Sequence, residues 1–509
     1  MLIPMAVACK DNAPDAGESA TDSDVVESDS SAVSESQTEN KYEVYDDLGD
    51  DIDLGGRTVT IASVDRSWYD DEIAVERYTG NVVNDAVFKR NMYVENRLKV
   101  KIASVRLGKR GNDSAIQYAV INDLKKNAQA NVHNYDIISA PVYCTIMQTG
   151  ENLFYDLNEM EAINLQKEYW SQLFNETASV GDAQYMASGA ISLSFYRFIF
   201  VTYVNNKVLE SAADAPDLIK VVNDGKWTLE YQRILANKYY VNNGSSEKDE
   251  QDVFGHVTSG YLNVDPYWSS CEIKILTKND ANYYEYSLDT DKLSSVVDLL
   301  LQTFSENGTY SYRVDGTDET GNGEQADIAK KFASGSALMA TIRLIEAENA
   351  HIREMKDKYT ILPIPRWSET QEDYYSFVHD SFTGVAIPTT TTNDNAQVFA
   401  KVLEAMASES YRTVTPAYYE TALKVRYSGS VESWEMLDMI TKNVYVDGGV
   451  LYTKTLLNVH QRFRNIVYSA CNNGTGNTVA STYSPAYGDQ VRAELETLQN
   501  SIKALKAPK

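Results

Sequence analysis

From Arg57 onward, apolar and polar positions fall into blocks whose period switches between strand-like and helix-like. RTVTIAS (57–63) is short and rich in β-branched residues, which predicts a buried strand. In 82–98 the positions Val83, Ala86, Val87, Arg90, Val94 and Leu98 recur near every 3.6 residues, which predicts a helix. KVKIASV reads as the next strand, 112–130 as a polar helix, and YDIISAPV as a third strand. Strand, helix, strand, helix, strand predicts a parallel sheet with helices on its faces. Further on, YRFIFVTYVNNKVLES predicts an aromatic strand running into a helix, and TDKLSSVVDLLLQTFSEN an amphipathic helix at about 290–307. SALMATIR and YTILPIPR bracket another helix, so a second sheet is expected. DSFTGVAIP (380–388) is one more strand, followed by a helix from Asn393 to Glu409 that Asn393 and Asp394 are expected to cap. The remainder is mostly helical, with SVESWEMLDMITKN and SPAYGDQVRAELETLQNSIKALKA the clearest cases, and no internal repeat is found.

A chain of 509 residues exceeds the size at which one hydrophobic core stops growing, so two lobes or domains are expected. The formal charge of −27 argues against nucleic acid, whose phosphates need a basic footprint. The acidic excess is uneven: Lys10 to Gly55 holds fifteen Asp or Glu against two Lys. That tract has few large apolar side chains and is expected to be a disordered acidic tether over 10–55. No run after residue 9 is apolar enough to span a bilayer.

Ahead of the tract stands MLIPMAVAC. Ala6, Val7 and Ala8 meet the small-residue rule for signal cleavage, and together with Cys9 they resemble the lipobox of bacterial lipoproteins. That resemblance implies residues 1–9 are the remnant of a signal peptide and Cys9 the lipidation site. The sequence departs from the pattern at Ala6, where the lipobox has Leu, and it lacks a charged n-region. The alternative is a plain thiol, for which a disordered tether offers no burial.

Little else in the sequence asks for chemistry. The histidines at 133, 256, 351, 379 and 460 show no metal-ligand spacing, and there is no GxSxG elbow and no phosphate-binding loop. Cys144, Cys271 and Cys471 are far apart, so at most one disulfide is expected and no zinc site. Asp315 and Asp318 in the glycine-rich DGTDETGNGEQ fail the calcium-loop spacing and read as a solvated loop. With 73 Asp and Glu, any chosen pair of hydrolytic carboxylates is meaningless without geometry. No metal, cofactor or enzymatic activity is expected.

The order of NDAVFKRNMYVENRLKVKI, YDIISAP, VNNKVL, DGKWTLEY, DVFG, YTILPIPRWSETQEDYYS, GVAIP and SESYRTVTPAYYETALKVRYSGSVESWEMLDMI resembles the extracellular solute-binding proteins of bacterial ABC importers, most of all the carbohydrate-uptake type of anaerobic Gram-positive bacteria. The resemblance runs from Gly55 to the end. It implies an α/β, periplasmic-binding-protein-like fold of type II: two lobes, a hinge, an interlobe ligand cleft and extra C-terminal helices. By analogy 56–198 and 384–410 form lobe 1, while 199–383 and 411–509 form lobe 2, with hinge strands near YRFIFV and DSFTGV. The implied function is capture of a carbohydrate, an oligosaccharide foremost, and its delivery to the transmembrane permease subunits. The implied protein is a monomer, lipid-anchored at the outer face of the cytoplasmic membrane. A lipid-anchored carbohydrate-active hydrolase, or an adhesin or sensor-coupled binder of the same fold, are the alternatives.

Aromatic usage bears on ligand class. Tyr outnumbers Phe 35 to 13 and there are six Trp, so much aromatic area carries a polar handle suited to stacking on sugar rings. Most such tyrosines simply cover helices and sheet edges. Position singles out a few, because ligands of open α/β sheets sit beyond the carboxyl ends of the strands. Asp65, Trp68 and Tyr69 follow the first strand and Tyr143 the third. Resemblance to maltodextrin-type clefts nominates Arg343 and Glu346, although Arg343 reads equally well as an ion-pair partner. Trp268, Trp367 and Asp380 complete the candidate ligand-binding set, whereas Trp227 is assigned to core packing with Thr228 as a helix cap.

Overall fold

The computed structural model describes residues 41–110, 114–312, 323–348, 350–422, 431–473 and 476–506. Cys9, the signal remnant, most of the tether, and Asp315 and Asp318 lie outside the described residues.

Two sheets organise the chain. The first takes β1 (Thr58–Val64), β2 (Lys101–Leu107) and β3 (Ile137–Pro141), with β1 central and parallel to both. The second takes β4 (Phe200–Asn205), β5 (Phe254–Ser259), β8 (Thr309–Tyr312), β9 (Ala337–Arg343) and β10 (Tyr359–Leu362) in the order β10-β4-β9-β5-β8. A small hairpin, β6 (Leu276–Lys278) with β7 (Tyr284–Tyr286), lies apart from both. β11 (Thr383–Ala386) returns to the first sheet and pairs antiparallel with β3, so a chain that has just built the second sheet completes the first.

The predicted periods account for these elements. Helix α1 (Val82–Leu98) has the predicted bounds, with Asn81 capping it by accepting from the Val83 and Asn84 amides. Only part of the predicted 112–130 helix is α-helical, α2 (Ala119–Ala130), because a 3-10 turn over Ser114–Tyr118 precedes it. The helix Asn393–Glu409 is capped by Thr392, whose hydroxyl accepts from Asn395, so Asn393 and Asp394 fall inside the first turn. Trp227 is fully buried and donates from Nε1 to the Pro363 carbonyl at 2.9 Å, while Thr228 caps its helix through the Tyr231 amide. Cys144, Cys271 and Cys471 are all unbridged.

The end of the acidic tract is bound rather than free. Tyr42 is buried edge-on against Tyr411, Arg97 donates twice to the Asp46 carboxylate at 2.7 Å, and the Asp46 amide donates to Ser408. Leu48, Ile52 and Leu54 pack on the core of the first sheet. Reading 10–55 as one tether averages these apolar side chains with the Ser- and Asp-rich residues before them. Packing begins where spaced apolar side chains return.

The connection between the sheets is a buried one. Ile199 bridges Val378, the Phe200 amide donates to Phe377 and the His379 amide to Phe198, so 198–200 runs antiparallel to 377–379. Buried side chains continue from Val64 and Ala140 through Phe198 and Phe200 to Val257 without a break. The helix Asn393–Glu409 runs directly into π-helical turns at Ser410–Val414 and Ala417–Ala422, beside α1, before the chain reaches the second sheet's helices. The last helix, Pro485–Lys506, touches both parts: it packs on β7, and the Lys506 amine contacts Asp156 and Glu159 beside the first sheet.

A buried guanidinium at this junction is paired on two sides. The Arg197 guanidinium binds the Asp71 carboxylate at 2.7 and 3.0 Å and the Glu348 carboxylate at 2.8 and 2.9 Å, joining a loop of the first part to the 3-10 turn that follows β9. Glu72 is buried next to it and accepts from Ser194 and Thr383. Burial raises the Glu72 carboxyl from 4.5 to about 7, against those two hydrogen bonds.

Arg197→Ala leaves the half-buried Asp71 and Glu348 carboxylates with no cation between them. It is expected to destabilise by about 1–3 kcal/mol in urea unfolding, with Arg197→Lys restoring only part because an ammonium lacks the planar fork. A loss under about 1 kcal/mol would show that this pairing does not hold the junction. Glu72 gives a pH dependence of known sign. Its carboxyl binds its proton more tightly folded than unfolded, so its contribution is fully present below pH 4.5 and is lost as pH rises to 7, by about 3 kcal/mol. Melting temperatures measured from pH 4.5 to 7.5 are expected to show a shallower decline in Glu72→Gln than in the wild type.

Candidate functional site

At the carboxyl ends of β1 and β9 the two sheets face one another through three aromatic and two cationic side chains. β1 ends at Val64, and a 3-10 turn (Ser67–Tyr69) follows at once, turning Trp68 half-buried toward the second sheet. The Arg66 guanidinium stands 3.5 Å from the centre of the Trp68 ring. Arg343, the last residue of β9, stands 5.4 Å from the same ring and 5.6 Å from Phe198. Phe198, at the entry to the second sheet, meets Trp68 edge-on at 5.4 Å and Tyr69 at 6.3 Å. Burial pulls the Arg66 pKa down, and the nearby Arg343 charge pulls the same way.

Around this stack lie groups that form or accept hydrogen bonds. Arg343 pairs with Glu346 at 3.2 Å, both buried. The Tyr143 phenol lies edge-on to Tyr118 with rings 5.8 Å apart, and the Tyr143 amide donates to the Asp380 carbonyl. Burial raises both phenols, Tyr118 to about 12, and the Asp380 carboxylate adds to each shift. The Asp380 carboxyl itself is raised to about 6 by burial, against the pull of Arg464. His379, 3.6 Å from Asp380, is held neutral by burial and by Arg343, Arg464 and Arg66. Arg464 is anchored in turn by the buried Asp265, Nε to Oδ1 at 3.0 Å.

The sequence candidates divide accordingly. Trp68, Arg343, Tyr143 and Asp380 come together, with Glu346 fixing Arg343. The ion-pair reading of Arg343 is met by Glu346, and the guanidinium also stands over the Trp68 ring. Asp65 lies at the margin in an exposed ion pair with Arg110. Tyr69 is buried, and its phenol donates to the Ser381 carbonyl at 2.7 Å and meets Gln117, which makes it a strut of the hinge. Trp268 has no exposed surface and packs edge-on against His460 and Phe463, inside the core of the second part. Trp367 is held elsewhere, its amide donating to Gln371, whose own amide binds the Ser270 and Asp373 carbonyls.

Arg66, Tyr118, Phe198, His379 and Arg464 also stand around this candidate site, and the sequence reading did not name them. Arg66 carried a signal, standing between Asp65 and Trp68 in the turn after the first strand. Phe198 looked like any other residue of an aromatic strand, and Arg464 comes from a helix with no motif.

The arrangement brings an indole ring, two guanidinium groups and a carboxylate together at the ends of β1 and β9, the types of group that a sugar ring with hydroxyl edges contacts. Burial pushes the Cys144 thiol, next to Tyr143, up to about 12, away from the thiolate form. Among the described residues no cluster of His, Cys, Asp and Glu could hold a metal ion.

No family model and no curated protein matches the sequence. Solved structures do match it in shape. A sugar transporter of Rhizobium etli in an open conformation superposes with a TM-score of 0.56 at 12% identity, covering 89% of this chain and 100% of that one. UgpB from Mycobacterium tuberculosis, in complex with glycerophosphocholine, gives 0.54 at 13% identity over 86% of this chain and 98% of that one. The GacH receptor of Streptomyces glaucescens, solved unliganded and with acarbose, gives 0.53 at 12% identity over 87% and 99%. The fold is the α/β, periplasmic-binding-protein-like fold of these proteins.

Two tryptophans separate site from core. Trp268→Ala is expected to lower unfolding free energy by about 3–5 kcal/mol, the cost of an emptied core position. Trp68→Ala is expected to cost much less, because its ring is half open to solvent. Equal losses in chemical denaturation would place Trp68 in the core with Trp268.

Proposed function

We propose that this chain is the extracellular solute-binding subunit of an ABC importer, capturing a carbohydrate between its two sheets and handing it to the membrane permease without altering it. One observation carries the reading: Trp68 is presented half-buried between Arg66 of the first part and Arg343 of the second, so one ring face and two donors converge from both sides of a hinge. A sugar lying on Trp68 would meet Arg66 and Arg343 at its hydroxyl edge, with Asp380 and Tyr143 close by. Its binding energy would then favour the arrangement in which the two parts are together. The fold shared with a sugar transporter and with an acarbose-binding receptor supports the class of ligand.

The same reading assigns the N-terminal tract. Cys9 would carry the lipid, and the acidic residues that follow would space the body from the outer face of the cytoplasmic membrane, where the permease resides. Two acyl chains suffice for stable anchoring. Among the described residues no helix is long and apolar enough to cross a membrane, so an anchor of this kind supplies what the body does not.

The test is a melting experiment against a panel of maltodextrins and other oligosaccharides, with the sugars analysed afterwards by chromatography. A matching ligand at 100 times its Kd is expected to stabilise by about 2.7 kcal/mol and to be recovered intact, and Trp68→Ala to abolish the shift. Shortened sugar would turn the assignment to a hydrolase. Stabilisation by amino acids or peptides alone would remove carbohydrate from it.

A further inference from the structure

The aspartates nearest Arg66 in the chain are each bound to another arginine. Asp65 pairs with Arg110 at 3.3 Å, Asp70 with Arg106 at 3.0 Å and with Arg110, and Asp71 with Arg197 at 2.7 Å. Glu72, the next acid along, accepts from Ser194 and Thr383. Arg66 is left without any of them. Its side chain forms no ion pair and no hydrogen bond among the described residues, although only 6% of the residue is exposed.

The contact that Arg66 does make uses none of its donors. At 3.5 Å from the centre of the Trp68 ring only the flat face of a guanidinium fits, and its N–H groups lie in its own plane, clear of the indole. Among the described residues none of its nitrogens is a sealed, unpartnered atom, so the donors keep a path to solvent.

The nearby acids of the second part serve other cations. Glu346 pairs with Arg343 and Asp265 with Arg464, while Asp380 is drawn by Arg464 and Lys454, and Glu324 by Arg343 and Arg464. The groups acting on Arg66 are the phenols of Tyr69 and Tyr143 and the cation of Arg343. No carboxylate is among them. A buried charge is costly unless it is matched, and no acid among the described residues matches this one.

We propose that the ligand of the Trp68 site is an acidic carbohydrate, a uronic-acid-containing oligosaccharide whose carboxylate is the counter-charge of Arg66. The inference rests on the carbohydrate reading of that site and adds the ligand's charge to it. A planar carboxylate matches the guanidinium fork and accepts two parallel N–H bonds from it. One uncompensated guanidinium calls for one negative charge, which a carboxylate supplies, whereas a phosphate monoester brings about −1.5 to −2. A neutral sugar would leave the charge unmatched, and a cationic one would add to it.

Calorimetric titration of the intact protein with matched pairs tests the proposal: oligogalacturonides beside their methyl esters, and glucuronic-acid-ended xylo- and malto-oligosaccharides beside the neutral parents. In the pair that binds, the acidic member is expected to bind about tenfold or more tighter than its neutral counterpart, the worth of a hydrogen bond to a charged group. That ratio is expected to fall below about threefold in Arg66→Gln, with Arg66→Lys, which keeps the charge and loses the fork, lying between. The comparison within the wild type decides the matter even where a variant unfolds. Equal binding of acidic and neutral members, or a ratio that survives in Arg66→Gln, would overturn the acidic assignment and leave the carbohydrate reading standing. No binding of any sugar, acidic or neutral, would overturn both.

Discussion

One guanidinium holds the relation between the two sheets. Arg197 sits at the point where the chain leaves the first sheet for the second, and it divides its donors between Asp71 on one side and Glu348 on the other. An arginine so deeply buried is tolerable only when its charge is matched, and here two carboxylates overmatch it. The excess negative charge lies against Glu72, whose carboxyl is already raised by burial. The junction is thus a network in which each group is acceptable because of its neighbours. Such a network resists small displacements and changes only by moving as a whole.

This explains the composition of the crossing segments. The strands at 198–200 and 377–379 are aromatic and buried, leaving no water to satisfy their backbone groups, so they bond to each other. The third crossing is made by π-helical turns, in which the usual hydrogen-bond ladder is replaced by a wider one. The two sheets are thus joined by three crossings, two of them extended and one helical.

Much of this architecture was legible in the sequence, because strands and helices with one strong period leave little choice. α1 and the helices near 290 and 393 announce themselves by spacing, and their neighbouring strands by β-branched runs. Position after a strand was the informative signal for Trp68 and Tyr143, which the structure brings to the same end of the first sheet. It failed for Trp268, because a tryptophan in a short helix looks the same whether it faces ligand or core, and the difference rests on His460 and Phe463, almost two hundred residues away. It failed for Tyr69 by a single residue: in a 3-10 turn neighbouring side chains diverge, so Trp68 stays half-buried while Tyr69 turns inward to Ser381. The docking of Tyr42 to Leu54 was hidden by averaging over an acidic tract.

The placement of Arg66 and Arg343 carries the last step. Two guanidinium groups stand over one indole ring, each lying on a different side of the hinge, and the charge of one lowers the pKa of the other. Bringing them together costs energy that the ring faces offset only in part, because a cation–π contact is worth about 0.5–2 kcal/mol. Glu346 compensates Arg343. Arg66 lies partly within the hydrophobic boundary, and the groups that act on it besides Arg343 are the phenols of Tyr69 and Tyr143. Under the proposed role, a ligand rich in oxygen acceptors would relieve that repulsion only when the two sides are together, the differential interaction that closure around a ligand would require. The same two guanidinium groups would disfavour a cationic ligand over Trp68.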